Sequence, residues 1–383
     1  MSNFKYYCGK ISDIFLIKQI FANKILIFAA EMDKLHIFNP EHDIALASNL
    51  TNFTAPHAGR QLRADLGFLP ALWADEGDYV LVEDADYAAL AYRRATKGRK
   101  CRVVWVTKSQ LSSLPLQSVS PWGWDAALRH QLLRYGVDAS LLPSEQQVAE
   151  IRQLSHRQTA ALLLPSLRID GTVGEAVFCQ SVAAVEQQLS LHPRLVLKAP
   201  WSSSGRGLRF INGQLSEYHL GWLRNLLTSQ GGVMAEPYYD KVKDFGMEFI
   251  ADADGTIRYE GLSLFHTVNG AYVGNVLATE SAKLEMISRY ISVDLLNIIK
   301  QRIISSLQLG TYHGPFGIDM MIVRNNPQLS TKSSQLFLHP CVEINLRRTM
   351  GHVALSLLPA DDDIRKVMRI DYTDNYKLKI RKL

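Results

Sequence analysis

Apolar and polar positions follow two rhythms along the chain, and the change falls near residue 140. From Met32 to that point, short apolar runs alternate with segments of helical spacing. "KLHIFNP" ends at Pro40, while "DYVLVED" and "RVVWVT" are compact and rich in β-branched residues, as buried strands are. "AGRQLRADLGFLPALWA" has helical spacing, with Pro70 expected to bend or end the helix. Strands alternating with helices predict an α/β unit built on a mostly parallel sheet. "LLPSEQQVAEIRQLSHRQTAALLL" then opens a helical region, where Ser144 and Gln147 form a predicted capping box.

Past this region the runs become strand after strand. "RLVLKAP", "GVMAEPYY", "FGMEFIAD", "TIRYEGLSLF", "FGIDMMIV" and "LFLHPCVEINL" all carry the strand pattern. Asp254-Gly255 between two of them is a hairpin signal. The surrounding "DADG" lacks the oxygen spacing and distal glutamate of a calcium loop and is read as a turn. "SVDLLNIIKQRIISSLQ" is an amphipathic helix. Successive antiparallel strands with helices to one side predict an α+β unit. The expected organisation is an extension at 1–31, an α/β domain at 32–140 and an α+β domain at 141–383.

Composition narrows the function classes. A length of 383 residues exceeds one ordinary core and fits two or three structural units. The formal net charge of +5 is spread along the chain, with no dense basic patch interleaved with aromatics, so nucleic acid is not an expected partner. "ISDIFLIKQIFANKILIFAA" is apolar but is interrupted by Lys18 and Lys24, too broken for a membrane span. Translation starting at Met32 is the favoured reading of the first thirty-one residues, with an amphipathic helix or a signal peptide as the others. Cys8, Cys101, Cys179 and Cys341 lie far apart and form no C-x-x-C, which points to reduced thiols and a cytoplasmic setting.

The candidate chemistry lies in four stretches. "LVLKAPWSSSGRGLRF" delivers Lys198 from a strand to the edge of a loop of serines and glycines. Backbone N–H groups in such a loop can approach an anion closely, yet the lysine precedes the glycines, the reverse of the P-loop order. A surface turn after a buried strand is the competing reading. "FGIDMMIV" sets Asp319 within an apolar strand, and "CVEINLRR" sets Glu343 and Asn345 two residues apart, on one face of another. A carboxylate on an apolar strand is costly to bury unless it is paired or metal-bound. Asp, Glu and Asn oxygens on neighbouring strands suit Mg²⁺.

In this order the stretches resemble the ATP-grasp superfamily over roughly residues 150 to 355. "LVLKAPWSSSGRGL" is similar to that family's lysine strand and the flexible loop over the triphosphate; "VMAEPYYDKVKDFGMEF" to its hinge strand; "GIDMM" and "EINLR" to its two metal-ligand strands. The resemblance implies an α/β N-terminal domain followed by an ATP-grasp-like domain of antiparallel sheets and helices, with the nucleotide bound between subdomains. It implies ATP and Mg²⁺ as cofactors. Lys198 and Arg157 would hold phosphate oxygens, the latter where the family often has a lysine. Ser202, Ser203, Ser204, Gly205, Arg206 and Gly207 would close over the phosphates. Glu236 with the Pro237–Tyr238 backbone would face adenine, and Asp244, in competition with Asp240, would hold the ribose. Asp319, Glu343 and Asn345 would carry the metal. Many ligases of the family have an arginine two residues before the aspartate; Gly317 stands there, so stabilisation of the transferring group would fall to Arg347 or Arg206, and Arg348 would point away.

The implied activity is ligation: a small-molecule carboxylate is activated as an acyl-phosphate and attacked by an amine or thiol acceptor, with release of ADP. A kinase using the same site, or a nucleotide-binding module without turnover, are the alternatives. Two polar clusters remain. Asn39, Glu41, His42 and Asp43 follow the first predicted strand, where α/β sheets bind ligands; a capped helix start accounts for them as well. Asn269 and Asn275, in "HTVNGAYVGNVLA", are read either as a wall of the acceptor site or as a plain hairpin turn.

Overall fold

The protein's computed structural model describes residues 33–202, 207–268, 271–324 and 336–383. The calls on residues 1–31 and Cys8, on Ser203, Ser204, Gly205 and Arg206, and on Asn269 lie outside the described residues. Three sheets organise the rest. The first is parallel and ordered β3-β2-β1-β4, from β1 (Lys34–Ile37), β2 (Tyr79–Leu81), β3 (Val104–Val106) and β4 (Ser118–Pro121). The chain therefore runs from β1 outward through β2 and β3, then returns to the other side of β1. Helices His42–Ser48, His57–Leu66, Ala85–Ala95 and Ala126–Arg134 connect and follow these strands. Pro70 sits at the start of a 3-10 turn, Leu69–Leu72, just beyond the helix it was expected to end.

Ser144 caps helix Glu145–Leu154, with the reciprocal Gln147 bond of the capping box in place. The helical region is broken at Ser155–Arg157 and resumes as Gln158–Leu167. A second sheet, antiparallel and ordered β5-β8-β6-β7, is made of β5 (Val177–Cys179), β6 (Arg194–Lys198), β7 (Leu208–Asn212) and β8 (Val233–Pro237). Helices Val182–Leu191 and Glu217–Gln230 cover it.

The third sheet is the largest, with seven antiparallel strands ordered β13-β12-β9-β10-β11-β14-β15. They are β9 (Asp240–Ala251), β10 (Ile257–Val268), β11 (Ala271–Leu277), β12 (Gly314–Arg324), β13 (Leu336–Asn345), β14 (Lys366–Tyr372) and β15 (Tyr376–Lys382). Asp254-Gly255 lies in the turn joining β9 to β10. One face of this sheet is apolar: Phe245, Met247, Phe249, Leu262, Leu264, Phe316, Ile318 and Ile322 pack with helices Gln158–Leu167, Glu280–Ser288 and Val293–Ser306 into the main core. The residues between them, among them Asp319 and Glu248, are forced by strand alternation onto the opposite face.

The last two strands, in the stretch expected to belong to the second domain, also pack on the first. Met368 and Leu378 share a core with Leu66, Leu69, Val80 and Tyr92. Asp65 accepts from the Tyr376 N–H at 2.8 Å, and Gln61 donates to the Asp374 carbonyl at 2.8 Å. Among the described residues this hairpin joins the large sheet through the β11–β14 pairing, where Gly274 lies opposite Arg369. A Cβ at Gly274 would fall 2.2 Å from the Met368 carbonyl oxygen, a backbone atom that cannot rotate away. Gly274→Ala is therefore expected to destabilise the protein by about 2–3 kcal/mol through forced separation of β11 and β14, read as a lowered midpoint in urea denaturation.

Candidate active site

The site forms on the polar face of the large sheet, at its β12–β13 edge. Asp319 stands directly opposite Glu343, and Gly317 opposite Asn345. On its other side, β12 pairs with β9 so that Asp319 faces Gly246, Gly317 faces Glu248 and Met321 faces Asp244. The two carboxylates predicted from separate motifs thus meet as cross-strand neighbours. Burial, and then the charge on Glu343, push the Asp319 carboxyl up to about 7. Two residues along β9, burial lifts Glu248 to about 8, and its hydrogen bond from Thr349, 2.8 Å long, only partly offsets that.

Arginines answer this charge. Arg157, buried at the start of helix Gln158–Leu167, donates through Nη2 to Glu343 at 2.8 Å. Its Nη1 donates to the Ala199 carbonyl and, at 2.8 Å, to the Ser202 hydroxyl. One guanidinium therefore ties the carboxylate edge to the base of the serine-glycine loop. The two ends of that loop are held together by the bond from Ala199 N–H to Gly207 O, 2.8 Å long. Gly207 is required there, because a Cβ would lie 2.3 Å from the Ser202 oxygen.

Lys198 ends β6 as the sequence pattern predicts, and its ammonium pairs with Glu236 of β8 at 2.6 Å, both side chains being buried. Register explains the pair: Val196 lies opposite Glu236, so Lys198 is its diagonal neighbour on the same face. Glu236, expected to face adenine, is thus the counter-ion of the lysine. Tyr238, expected to offer backbone to the base, gives its N–H to the Arg194 carbonyl at 2.9 Å and lays its ring under the Arg194 guanidinium. With Pro237 lacking an N–H, neither residue offers a free backbone N–H. Asp244 accepts from Lys241 at 2.6 Å and from Thr267, and its charge helps raise Asp319. Asp240, its competitor, is exposed at the start of the same strand.

Two further expectations change in the structure. Asn345 turns its amide nitrogen toward Asp319, 3.2 Å away, while its oxygen accepts from Arg347 at 2.9 Å. The nearby guanidinium claims the oxygen that was expected to serve a metal. Arg347, expected to hold a transferring phosphoryl group, has its fork taken by Asp43: Nε to Oδ1 at 2.7 Å and Nη2 to Oδ2 at 2.8 Å. Its Nη1 donates to the Arg348 carbonyl at 3.1 Å. Burial opposes the charge on Arg347, but the Asp43 carboxylate outweighs it and raises the pKa; the same contact overcomes burial on Asp43 and lowers its own. In this arrangement Arg347 positions Asn345 and the helix His42–Ser48. Arg348 faces away and stacks over Trp73 at 4.6 Å.

Sequence reasoning missed Glu248 and His339. Glu248 lies within the apolar run "FGMEFIAD", and only register shows that it shares a face with Asp319. His339 of β13 is buried near Lys198, and burial, then that lysine, lower it to about 3. Neither of its ring nitrogens has a partner among the described residues. Asn275, read as a wall or a turn, is buried in β11 and donates to Ser263 of β10 at 2.8 Å. The cleft between Ser202, Trp201, Asp43 and Asn345 holds about 20 Å³, room for about one water.

The carboxylate edge can hold a hard cation. Among the described residues no three His, Cys, Asp or Glu side chains converge as a ready-made metal cage. Two carboxylates alone fit Mg²⁺, which binds through one or two protein carboxylates and completes its shell with water and phosphate oxygens.

No protein-family model and no curated protein matches the chain. Solved structures do. The biotin carboxylase–β,γ-ATP complex from Campylobacter jejuni aligns at a TM-score of 0.51 with 12% identity, over 89% of this chain and 76% of that one. N5-carboxyaminoimidazole synthetase from Staphylococcus aureus complexed with ADP aligns at 0.47 with 13% identity, over 88% of this chain and 82% of that one. A protein from Archaeoglobus fulgidus described as a candidate ATP-grasp superfamily member aligns at 0.46 with 11% identity, over 91% of this chain and 99% of that one. The chain has the ATP-grasp fold, with a parallel α/β unit preceding it. No described helix is long and apolar enough to cross a membrane.

The raised carboxyls set a pH dependence. Both Asp319 and Glu248 hold their proton more tightly in the folded chain than in the unfolded one, where they release it near pH 4. The stability from these protons is complete below about pH 4 and is lost as pH rises through about 7 to 8. Thermal melts are expected to fall by a few degrees between pH 5 and 8, and to fall less in the Asp319→Asn/Glu248→Gln double variant.

Proposed function

We propose that the protein is an ATP- and Mg²⁺-dependent ligase that activates a small-molecule carboxylate as an acyl-phosphate for attack by an amine or thiol, with release of ADP. The observation that carries this reading is Arg157. Its guanidinium reaches both the base of the serine-glycine loop and Glu343, and so brings the candidate phosphate-binding loop to the candidate metal edge. The biotin carboxylase–β,γ-ATP complex, which shares the fold, supports the same reading.

Each residue then has a task. Lys198 would hold phosphate oxygens from a strand end, oriented by Glu236. Arg157 would orient Glu343 and the Ser202 end of the loop. Asp319 and Glu343 would hold Mg²⁺, which supplies neutralisation of phosphate charge. Asp244 is kept for the ribose, on the same sheet face as Asp319. The narrow cleft beside Ser202 means that a triphosphate enters only as its walls part. Phosphoryl transfer needs position and charge neutralisation rather than a nucleophilic side chain, and this site offers both. A kinase would keep the phosphate on its product; a ligase releases it free, so phosphate release in a screen of carboxylates paired with amines and thiols separates the two.

Calorimetry with a non-hydrolysable ATP analogue and Mg²⁺ tests the nucleotide site. Lys198→Ala alone strands the buried Glu236 charge, so the Lys198→Met/Glu236→Gln double variant is the cleaner probe. It is expected to weaken binding by at least about tenfold. A folded wild-type protein that fails to bind at millimolar nucleotide overturns the reading.

The bidentate Asp43 contact gives Arg347 a second test. If Arg347 acts by positioning, Asp43→Asn and Arg347→Ala each lower turnover by about ten- to a hundredfold, and the double variant is little worse than either single. A free catalytic guanidinium would instead leave Asp43→Asn close to wild type.

A further inference from the structure

The cluster Asn39, Glu41, His42 and Asp43 divides in two in the structure. His42 and Asp43 line the cleft beside Ser202. Asn39 and Glu41 line a separate cavity of about 110 Å³ together with Arg60, Arg63, Asp125 and Gln131. Its place in the sheet is telling. Asn39 and Glu41 follow β1, and Asp125 follows β4; these strands pair in parallel, and between them the strand order reverses. That is the topological switch point, at the carboxyl ends of the strands, where open α/β sheets bind ligands.

The lining holds two carboxylates and two guanidiniums. Glu41, only 5% exposed, pairs one carboxylate oxygen with Arg63; its other oxygen accepts no hydrogen bond among the described residues. The Arg63 Nε likewise has no acceptor among them. Arg60 uses Nη1 on the Ala55 carbonyl. Asp125 is committed to the fold, capping helix Ala126–Arg134 with one oxygen and accepting from Asn39 and His42, each at 3.3 Å, with the other. A buried carboxylate oxygen without a donor and a guanidinium nitrogen without an acceptor are each costly. Two pairs of opposite charge favour neither a lone anion nor a lone cation.

We propose that this cavity binds a small zwitterion of amino-acid size, its ammonium on the free Glu41 oxygen and its carboxylate on Arg63 and Arg60. Several waters' worth of space admits an amino-acid head group and excludes a nucleotide. The site stands apart from the nucleotide reading: the two cavities share no lining residue, Ala45 of the helix His42–Ser48 lining this one and Asp43 and Leu46 the other.

The test is calorimetry and thermal shift on the full chain with the common amino acids one at a time, and with acetate and ethylamine as single-charge controls. At least one amino acid is expected to bind and raise the melting temperature, with both controls at least about tenfold weaker. Glu41→Gln, nearly isosteric, is expected to weaken it by about ten- to a hundredfold while the ATP-analogue affinity stays unchanged. Arg60→Ala, on the exposed rim, does the same from the carboxylate side and guards against a folding defect in the first variant. No binding by any amino acid at millimolar concentration, or binding that both variants leave intact, overturns the proposal.

Discussion

Two acidic side chains face each other across adjacent strands, and much of the surrounding structure exists to accommodate that repulsion. Asp319 and Glu343 are cross-strand neighbours on a face from which water is partly excluded. Like charges placed so are unfavourable, and low local polarity sharpens the penalty. The fold responds from both sides. Arg157 reaches Glu343 from the helix that follows the chain's break at Ser155–Arg157. Asn345 donates to Asp319 and hands its own oxygen to Arg347, which is held in turn by Asp43. The parallel N-terminal unit is thereby bound electrostatically to the edge of the large antiparallel sheet.

Which parts of this were readable in the sequence follows from the range of the interactions. Strands announced themselves by local patterning, and the alternation in "CVEINLRR" correctly separated the Arg347 direction from that of Arg348, although β13 ends at Asn345. β4 is short, with the sequence Ser-Val-Ser-Pro, and carries almost no apolar signal. β14 and β15 gain their burial from helices near the start of the chain, a contact no local window contains. Pairings were opaque for the same reason. Asp43 and Arg347 stand 304 positions apart, and no spacing rule joins them. Lys198 and Glu236 were each singled out, but their ion pair depends on β6 lying beside β8. Glu248 escaped because one acid in an apolar strand reads as noise until β12 supplies Asp319 beside it.

The placement of Lys198 has a physical origin in these pairings. A lysine buried without a partner would shed its proton or seek solvent. Glu236 supplies that partner at 2.6 Å and fixes the side chain at the end of a strand whose neighbours on each side are hydrogen-bonded. Under the proposed function the carboxylate would also repel an incoming phosphate. A pair of this kind therefore trades affinity for placement: the cation is in position before the anion arrives, but part of its field is already spent. Under the proposed function additional positive charge would come from Arg157. Its contacts with Ala199 and Ser202 fix the point where the loop leaves the strand, and its contact with Glu343 fixes the opposite wall. One buried guanidinium therefore sets the spacing between the strand end that carries Lys198 and the edge that carries Glu343.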